Sequence, residues 1–155
     1  MNISPDATIL QLVLNGETDV IVRRDFTHPP ARVWRALTEP DLIPLWLSSR
    51  DSKLRCEMDV RPGGSFRYEW DEFTFFGPIL EVDAPRRMTQ VQHFSKDPAY
   101  RVEVTIDLVA RGTGTRMTHL MRYADADARA SAIAVGFTDG LSEVFGRIEA
   151  VLTAQ

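Results

Sequence analysis

The spacing of apolar residues changes along the chain, and each change marks a different kind of element. Asp19 to Phe26 (DVIVRRDF) opens with β-branched residues and reads as a strand. Just before it lies Ile9 to Leu14 (ILQLVL), and the Asn15-Gly16 dipeptide between the two is a strong hairpin signal. The same residues could form a helical turn, and so short an apolar run does not choose between the two. In the next stretch, HPPARVWRALTEP, prolines open a helix whose first turn needs no N–H from them. Val33, Trp34 and Leu37 then recur at helical spacing, and Pro40 closes the element. Asp41 to Leu47 (DLIPLWL) predicts a second short helix.

From Leu54 onward the period falls to two. Cys56, Met58 and Val60 alternate with Glu57 and Asp59, and Pro62-Gly63-Gly64 makes a tight turn. Beyond it Phe66, Tyr68 and Trp70 alternate with Ser65, Arg67 and Glu69. Further strands are expected at Thr74–Val82, Met88–Phe94, Tyr100–Leu108 and Thr115–Tyr123. Turns this short imply an antiparallel meander, since parallel strands need long crossovers.

The last segment, Asp125 to about Leu152, returns to helical spacing. Ile133, Phe137, Leu141, Val144, Ile148 and Val151 fall on one stripe, with Asp139, Glu143, Arg147 and Glu149 outside it. One helix of this length extends ~40 Å at ~1.5 Å per residue. A sheet of about six to seven strands at ~4.8 Å spacing is ~25–30 Å wide, so the helix can cross all of it. The expected architecture is α+β: a curved antiparallel sheet of six to seven strands wrapped around a long C-terminal helix, with two short helices after the first strand. Residues 1–18 form an N-terminal extension with its extra hairpin strand, and residues 19–155 form one domain.

A straight helix cannot touch a concave sheet along its whole length, so a gap must be filled by side chains or left as a pocket. Gly136 and Gly140 interrupt the helical stripe, each at a cost of ~1 kcal/mol relative to Ala inside a helix. Gln90 and Gln92 share a strand face with Met88 and Phe94, and His119 lies between Met117 and Met121. A few polar groups among apolar ones are what a small-molecule site needs, unless the register is shifted by one and they face solvent.

Composition narrows the functions. The chain has 155 residues, 44% hydrophobic and 26% charged, which fits one globular domain. A net charge of −4 argues against a nucleic-acid face, which needs clustered Lys and Arg. No apolar run approaches the ~20 residues of a membrane span, and no basic region precedes the N-terminal apolar stretch as in a secretory signal. A cytoplasmic location follows as the expectation. The single cysteine, Cys56, cannot form an internal disulfide. His28, His93 and His119 are scattered, without a metal-binding spacing, so no metal and no cofactor is expected. Gly63-Gly64-Ser65 lacks the second glycine of a nucleophile elbow, and Gly112-Thr113-Gly114 is a hairpin turn, not a phosphate loop. No catalytic residue is assigned, and an enzyme is the less favoured reading.

Three stretches together carry a family resemblance: PPxxVWxALTxPxxxxxW from Pro29 to Trp46, CEMDVRPGGSFRY from Cys56 to Tyr68, and FxGxxLEVDxPxR from Phe75 to Arg87. With GTRMT at Gly114–Thr118 and the final helical segment, they resemble the SRPBCC (START-like) superfamily. The similarity is greatest to homologues of the activator of the heat-shock protein 90 ATPase, of the C-terminal-domain type. The resemblance covers residues from about 19 to the end and implies the helix-grip fold. It implies a choice of roles, because members include lipid carriers, polyketide cyclases, oxygenase domains and co-chaperones. Leu45-Trp46-Leu47, Gln92 and Phe137 depart from the usual pattern and would reshape the cavity.

Three classes of function stay open. The first is binding of a small apolar or amphipathic molecule, as a sensor or carrier in a stress response. The expected lining is Trp46, Phe66, Tyr68, Phe76, Gln92, His119, Phe137 and Leu141. The second is an interaction module that binds a chaperone, or pairs as a homodimer through the N-terminal hairpin's edge. The third is a cyclase-like enzyme, with His119 or Glu81 as the acid–base group.

Overall fold

The computed structural model describes residues 10–48 and 53–155. Two strands lead: β1 (Gln11–Asn15) and β2 (Asp19–Phe26), joined by a turn in which Gly16 takes a positive φ of 56°. Two short helices follow, α1 (Pro30–Thr38) and α2 (Ile43–Leu47). Next come β3 (Arg55–Met58), β4 (Ser65–Glu69), β5 (Thr74–Asp83), β6 (Arg87–Phe94), β7 (Asp97–Arg111) and β8 (Gly114–Tyr123). Helices α3 (Ala126–Ala134) and α4 (Leu141–Thr153) end the chain.

All eight strands join one sheet, in the order β1-β2-β8-β7-β6-β5-β4-β3, and every pair is antiparallel. The excursion through α1 and α2 carries the chain from β2 to the far edge, and the meander then returns until β8 pairs with β2. The count exceeds the expected six to seven strands because the N-terminal hairpin adds β1 at the edge. Ile9, which the hairpin reading included, lies outside the described residues. Arg129 of α3 secures the hairpin turn by donating to the carbonyls of Gly16 (2.9 Å) and Asp19 (3.1 Å).

The expected single C-terminal helix is two helices. α3 starts at Asp125, whose side chain accepts from the Ala128 N–H at 2.7 Å. It ends where Gly136, at φ 91°, lets the chain turn left-handed. The Gly136 N–H donates to Ile133 O at 3.1 Å and the Phe137 N–H to Ala132 O at 3.0 Å. These are the two bonds of a Schellman motif, so Gly136 is a helix stop and not a tolerated interior glycine. Gly140, at φ 77°, precedes α4.

α4 buries Phe145, Ile148 and Leu152 at helical spacing and packs against α1 and α2. With Val20, Val22 and Phe26 of β2 they belong to the main apolar core. A polar clamp fixes its C-terminal end. The Glu149 carboxylate accepts from the Thr27 N–H (2.7 Å) and hydroxyl (3.0 Å), and Arg32 donates to the last-turn carbonyl of Leu152 at 2.8 Å. Glu149→Ala leaves the Thr27 donor without this partner. We expect a loss of about 2 kcal/mol, seen as a melting temperature roughly 4–8 °C lower. An unchanged melt would show that the clamp contributes nothing.

Candidate functional site

The concave face of the sheet, α4 and the two short helices enclose a cavity of about 430 Å³. Its floor comes from alternate residues of three central strands: Met88, Gln90 and Gln92 of β6, Val104 and Ile106 of β7, and His119, Met121 and Tyr123 of β8. Leu141, Val144 and Phe145 of α4 cover it, and Leu37, Trp46 and Leu47 close one side. At the end below the α3–α4 break the lining is aromatic, with Trp70, Phe73, Phe75, Tyr100 and Phe137. Phe137 stands edge-on to Phe75 at 5.9 Å and to Tyr100 at 5.1 Å, a favourable arrangement of ring quadrupoles. The helix break is what puts it there, since a residue just past a left-handed glycine leaves the helical stripe.

Six of the eight residues expected in the lining are there: Trp46, Tyr68, Gln92, His119, Phe137 and Leu141. Two are not. Phe76 is on the outer face, 36% exposed and 5.6 Å from the His93 ring, because Phe75 takes the inward position of that pair. Phe66 is buried in the core, with its ring 5.0 Å from that of Tyr68, which lines the cavity while Phe66 does not. Glu81 is exposed on β5 and does not line the cavity, so it cannot act there as an acid or base. Gln90, Phe75, Tyr100 and Tyr123 belong to the lining but not to the expected set. Gln90 was legible as the polar neighbour of Gln92 on the same strand face; Tyr123 lies in the row Gln92–Val102–Tyr123 across the sheet, and the Tyr100 hydroxyl accepts from Gln92.

The anchoring of the wall is specific. The Trp46 indole N–H donates to Ala36 O at 2.8 Å, and Arg147 donates to Trp46 O at 2.8 Å, which ties α2 to both α1 and α4. Gln92 donates to the Tyr100 hydroxyl over a long 3.4 Å. Two buried polar atoms of lining residues have no partner: Oε1 of Gln90 and Nδ1 of His119. Nearly all buried polar groups in folded proteins are paired, so two orphans in one cavity wall need an explanation.

The lining titrates as a low-dielectric environment. Burial pushes the Tyr68, Tyr100 and Tyr123 phenols above their ordinary value and pushes His119 down to about 4. Burial also raises the Cys56 thiol, to about 12, which makes it a poor nucleophile. His119 is therefore uncharged at neutral pH; the one carboxylate among the described lining residues, Asp139, is exposed and does not act on it. Among the described residues no cluster of His, Cys, Asp and Glu could hold a metal ion, and no helix is long and apolar enough to cross a membrane.

His119 gives the protein a defined acid response. Unfolded, its imidazole titrates near 6.5, and folded near 4. Between these values the unfolded chain binds a proton that the folded one does not, so this group removes stability as pH falls through the window. Above it His119 contributes no slope. His119→Leu should flatten the decline between roughly pH 6.5 and 4, and should cost little at pH 7 because an unpaired buried nitrogen is removed. Equal acid profiles for the two proteins in denaturant titrations would refute this.

The chain resembles several solved structures along nearly its whole length. A protein from Rhodobacter sphaeroides is 26% identical and superposes with a TM-score of 0.87, covering 94% of this chain and 99% of that one. One from Nitrosomonas europaea is 27% identical, with a TM-score of 0.79 over 91% and 97% of the two chains. One from Mesorhizobium loti is also 27% identical, at 0.74 over 88% and 98%. No curated protein matches the chain. Residues 27–153 match the model of the family described as Activator of Hsp90 ATPase homolog 1-like protein.

Proposed function

Because the chain belongs to the Activator of Hsp90 ATPase homolog 1-like family, within the START-like superfamily, we propose that it holds a small apolar or amphipathic molecule between its sheet and α4, as a sensor or carrier. The observation that carries this reading is the cavity itself. Its lining is mostly apolar and aromatic, with the side chains of Gln90, Gln92 and His119 set among those residues. That is the composition of small-molecule pockets, in which apolar walls supply affinity and a few polar groups fix orientation. Trp46, Tyr68, Gln92, His119, Phe137 and Leu141 are the proposed contacts, and no catalytic role is proposed for any of them.

Native mass spectrometry on protein purified without added ligand, with denatured mass as control, tests the reading directly. An extra mass present only in the native spectrum supports it and identifies the molecule. Failure of any small molecule to occupy the cavity, after screening as well as purification, would sink it.

A second reading rests on a different surface. β1 is exposed along its whole length, with Leu12, Val13 and Leu14 at 41%, 45% and 51% exposure, at the open edge of the sheet. The family description names a chaperone-activating relative, and an uncharged open edge is suited to strand pairing with a partner or a second copy. Light scattering on the intact chain and on Val13→Lys tests this. A dimer lost on substitution supports self-pairing, and a monomer in both removes it.

A further inference from the structure

We infer that the cavity selects uncharged molecules that bring a hydrogen-bond donor, such as an alcohol or phenol, and rejects carboxylates of the same size. This rests on the ligand-binding reading above and specifies it.

The first ground is charge. Among the described lining residues there is no Lys or Arg, and the one carboxylate, Asp139, lies at the exposed rim between Gly136 and Gly140. A carboxylate entering this space would give up its hydration and find no opposite charge on the described lining residues, and an ion buried without a partner is heavily penalised. At the rim it would also meet a like charge. The buried guanidinium of Arg24 does not offset this. It does not line the cavity: one of its NH groups donates to Phe145 O at 2.9 Å, it lies over the Phe26 ring at 4.9 Å, and the Glu149 carboxylate supplies its opposite charge, although its Nε has no partner.

The second ground is the sense of the unpaired groups. Gln90 is 4% exposed; its amide lies beside the Tyr68 hydroxyl, and its Oε1 has no donor. An amide oxygen can only accept, so whatever completes it must donate. The unpaired Nδ1 of His119 lies on β8, two strands from Gln90 on the same concave face, and a neutral imidazole can supply either sense. A hydroxyl can donate to Gln90 Oε1 or exchange a hydrogen bond with His119 Nδ1, whereas an ionised carboxylate has no proton to give to Gln90.

Isothermal titration calorimetry on the full chain near pH ~7.5, where phenols are neutral and carboxylates ionised, tests this with three naphthalenes of similar size. We expect 2-naphthol to bind at least about ten times more tightly than 2-naphthoate, and more tightly than 2-methylnaphthalene. In Gln90→Leu the advantage of 2-naphthol over 2-methylnaphthalene should shrink. In Asp139→Asn, an exposed change that leaves the core alone, the gap between 2-naphthol and 2-naphthoate should narrow. Binding of 2-naphthoate as tight as that of 2-naphthol would overturn the inference and leave the cavity reading standing. An undiminished preference for 2-naphthol in folded Gln90→Leu would overturn the donor argument. Failure of all three to bind would overturn the inference and leave the cavity reading to be decided by the native mass measurement.

Discussion

Gly77→Ala is expected to be the most damaging single substitution on the sheet, lowering the melting temperature by more than about 10 °C or preventing folding. A Cβ at Gly77 would lie 1.8 Å from the Val91 carbonyl oxygen and 2.9 Å from its carbon. Both are backbone atoms of the neighbouring strand, so no side-chain rotation relieves the overlap and β5 must move away from β6. That movement would occur next to the bulge between Ile79 and Glu81, where the pairing already shifts register. It would also strain the opposite pairing, in which Gly77 faces Phe66 of β4. Since Phe73, Phe75 and Phe94 form one cluster across this region, near-ultraviolet circular dichroism should lose aromatic signal along with the melt. A folded Gly77→Ala protein with an unchanged melting temperature would mean the two strands approach less closely than described.

The second large effect separates core from cavity on a single helix. Ile148 is fully buried on α4 and is not part of the cavity lining. Ile148→Ala removes packed methyl groups and leaves a void, which costs about 3 kcal/mol and roughly 6–12 °C. Val144, one turn earlier on the same helix, faces the cavity and is only half-buried. Val144→Ala takes atoms from a surface that already borders open space, so its cost should stay near or below about 1 kcal/mol. The contrast is the measurement. Equal losses at the two positions would mean that the space under Val144 is filled in solution, and would count against the cavity.

How much of this was readable beforehand follows from which signals are local. Alternation with period two located the six strands from β3 to β8 to within a few residues, because each strand has one face toward the core. Gln92 and His119 stood out for the same reason, as polar residues on faces that are otherwise apolar. Phe76 was misplaced because β5 begins with apolar residues at both 75 and 76, so alternation there has no phase, and a slip of one residue inverts the face. The helix break was written in the chain as well, since Gly136 follows α3 where a C-terminal stop belongs. The apolar stripe continues across it, however, and a wheel drawn through six positions cannot register a change of backbone hand. The orphaned atoms of Gln90 and His119 were out of reach, because pairing depends on neighbours from strands far apart in the chain.

The position of β8 has a consequence for how the protein is made. This strand lies between β2 and β7, so the first long strand of the domain finds its inner partner only when the last strand has appeared. The Asp19–Arg122 ion pair across that seam spans 103 positions. During synthesis β2 must therefore wait for about a hundred further residues, while β3 to β7 emerge and pair in order with their immediate neighbours. Loop closure over such a distance is slow, so the joining of β2 to β8 is the natural rate-limiting event. Until it occurs, Val20, Val22 and Phe26 have no β8 to lie beside and remain open to holding factors or to other chains.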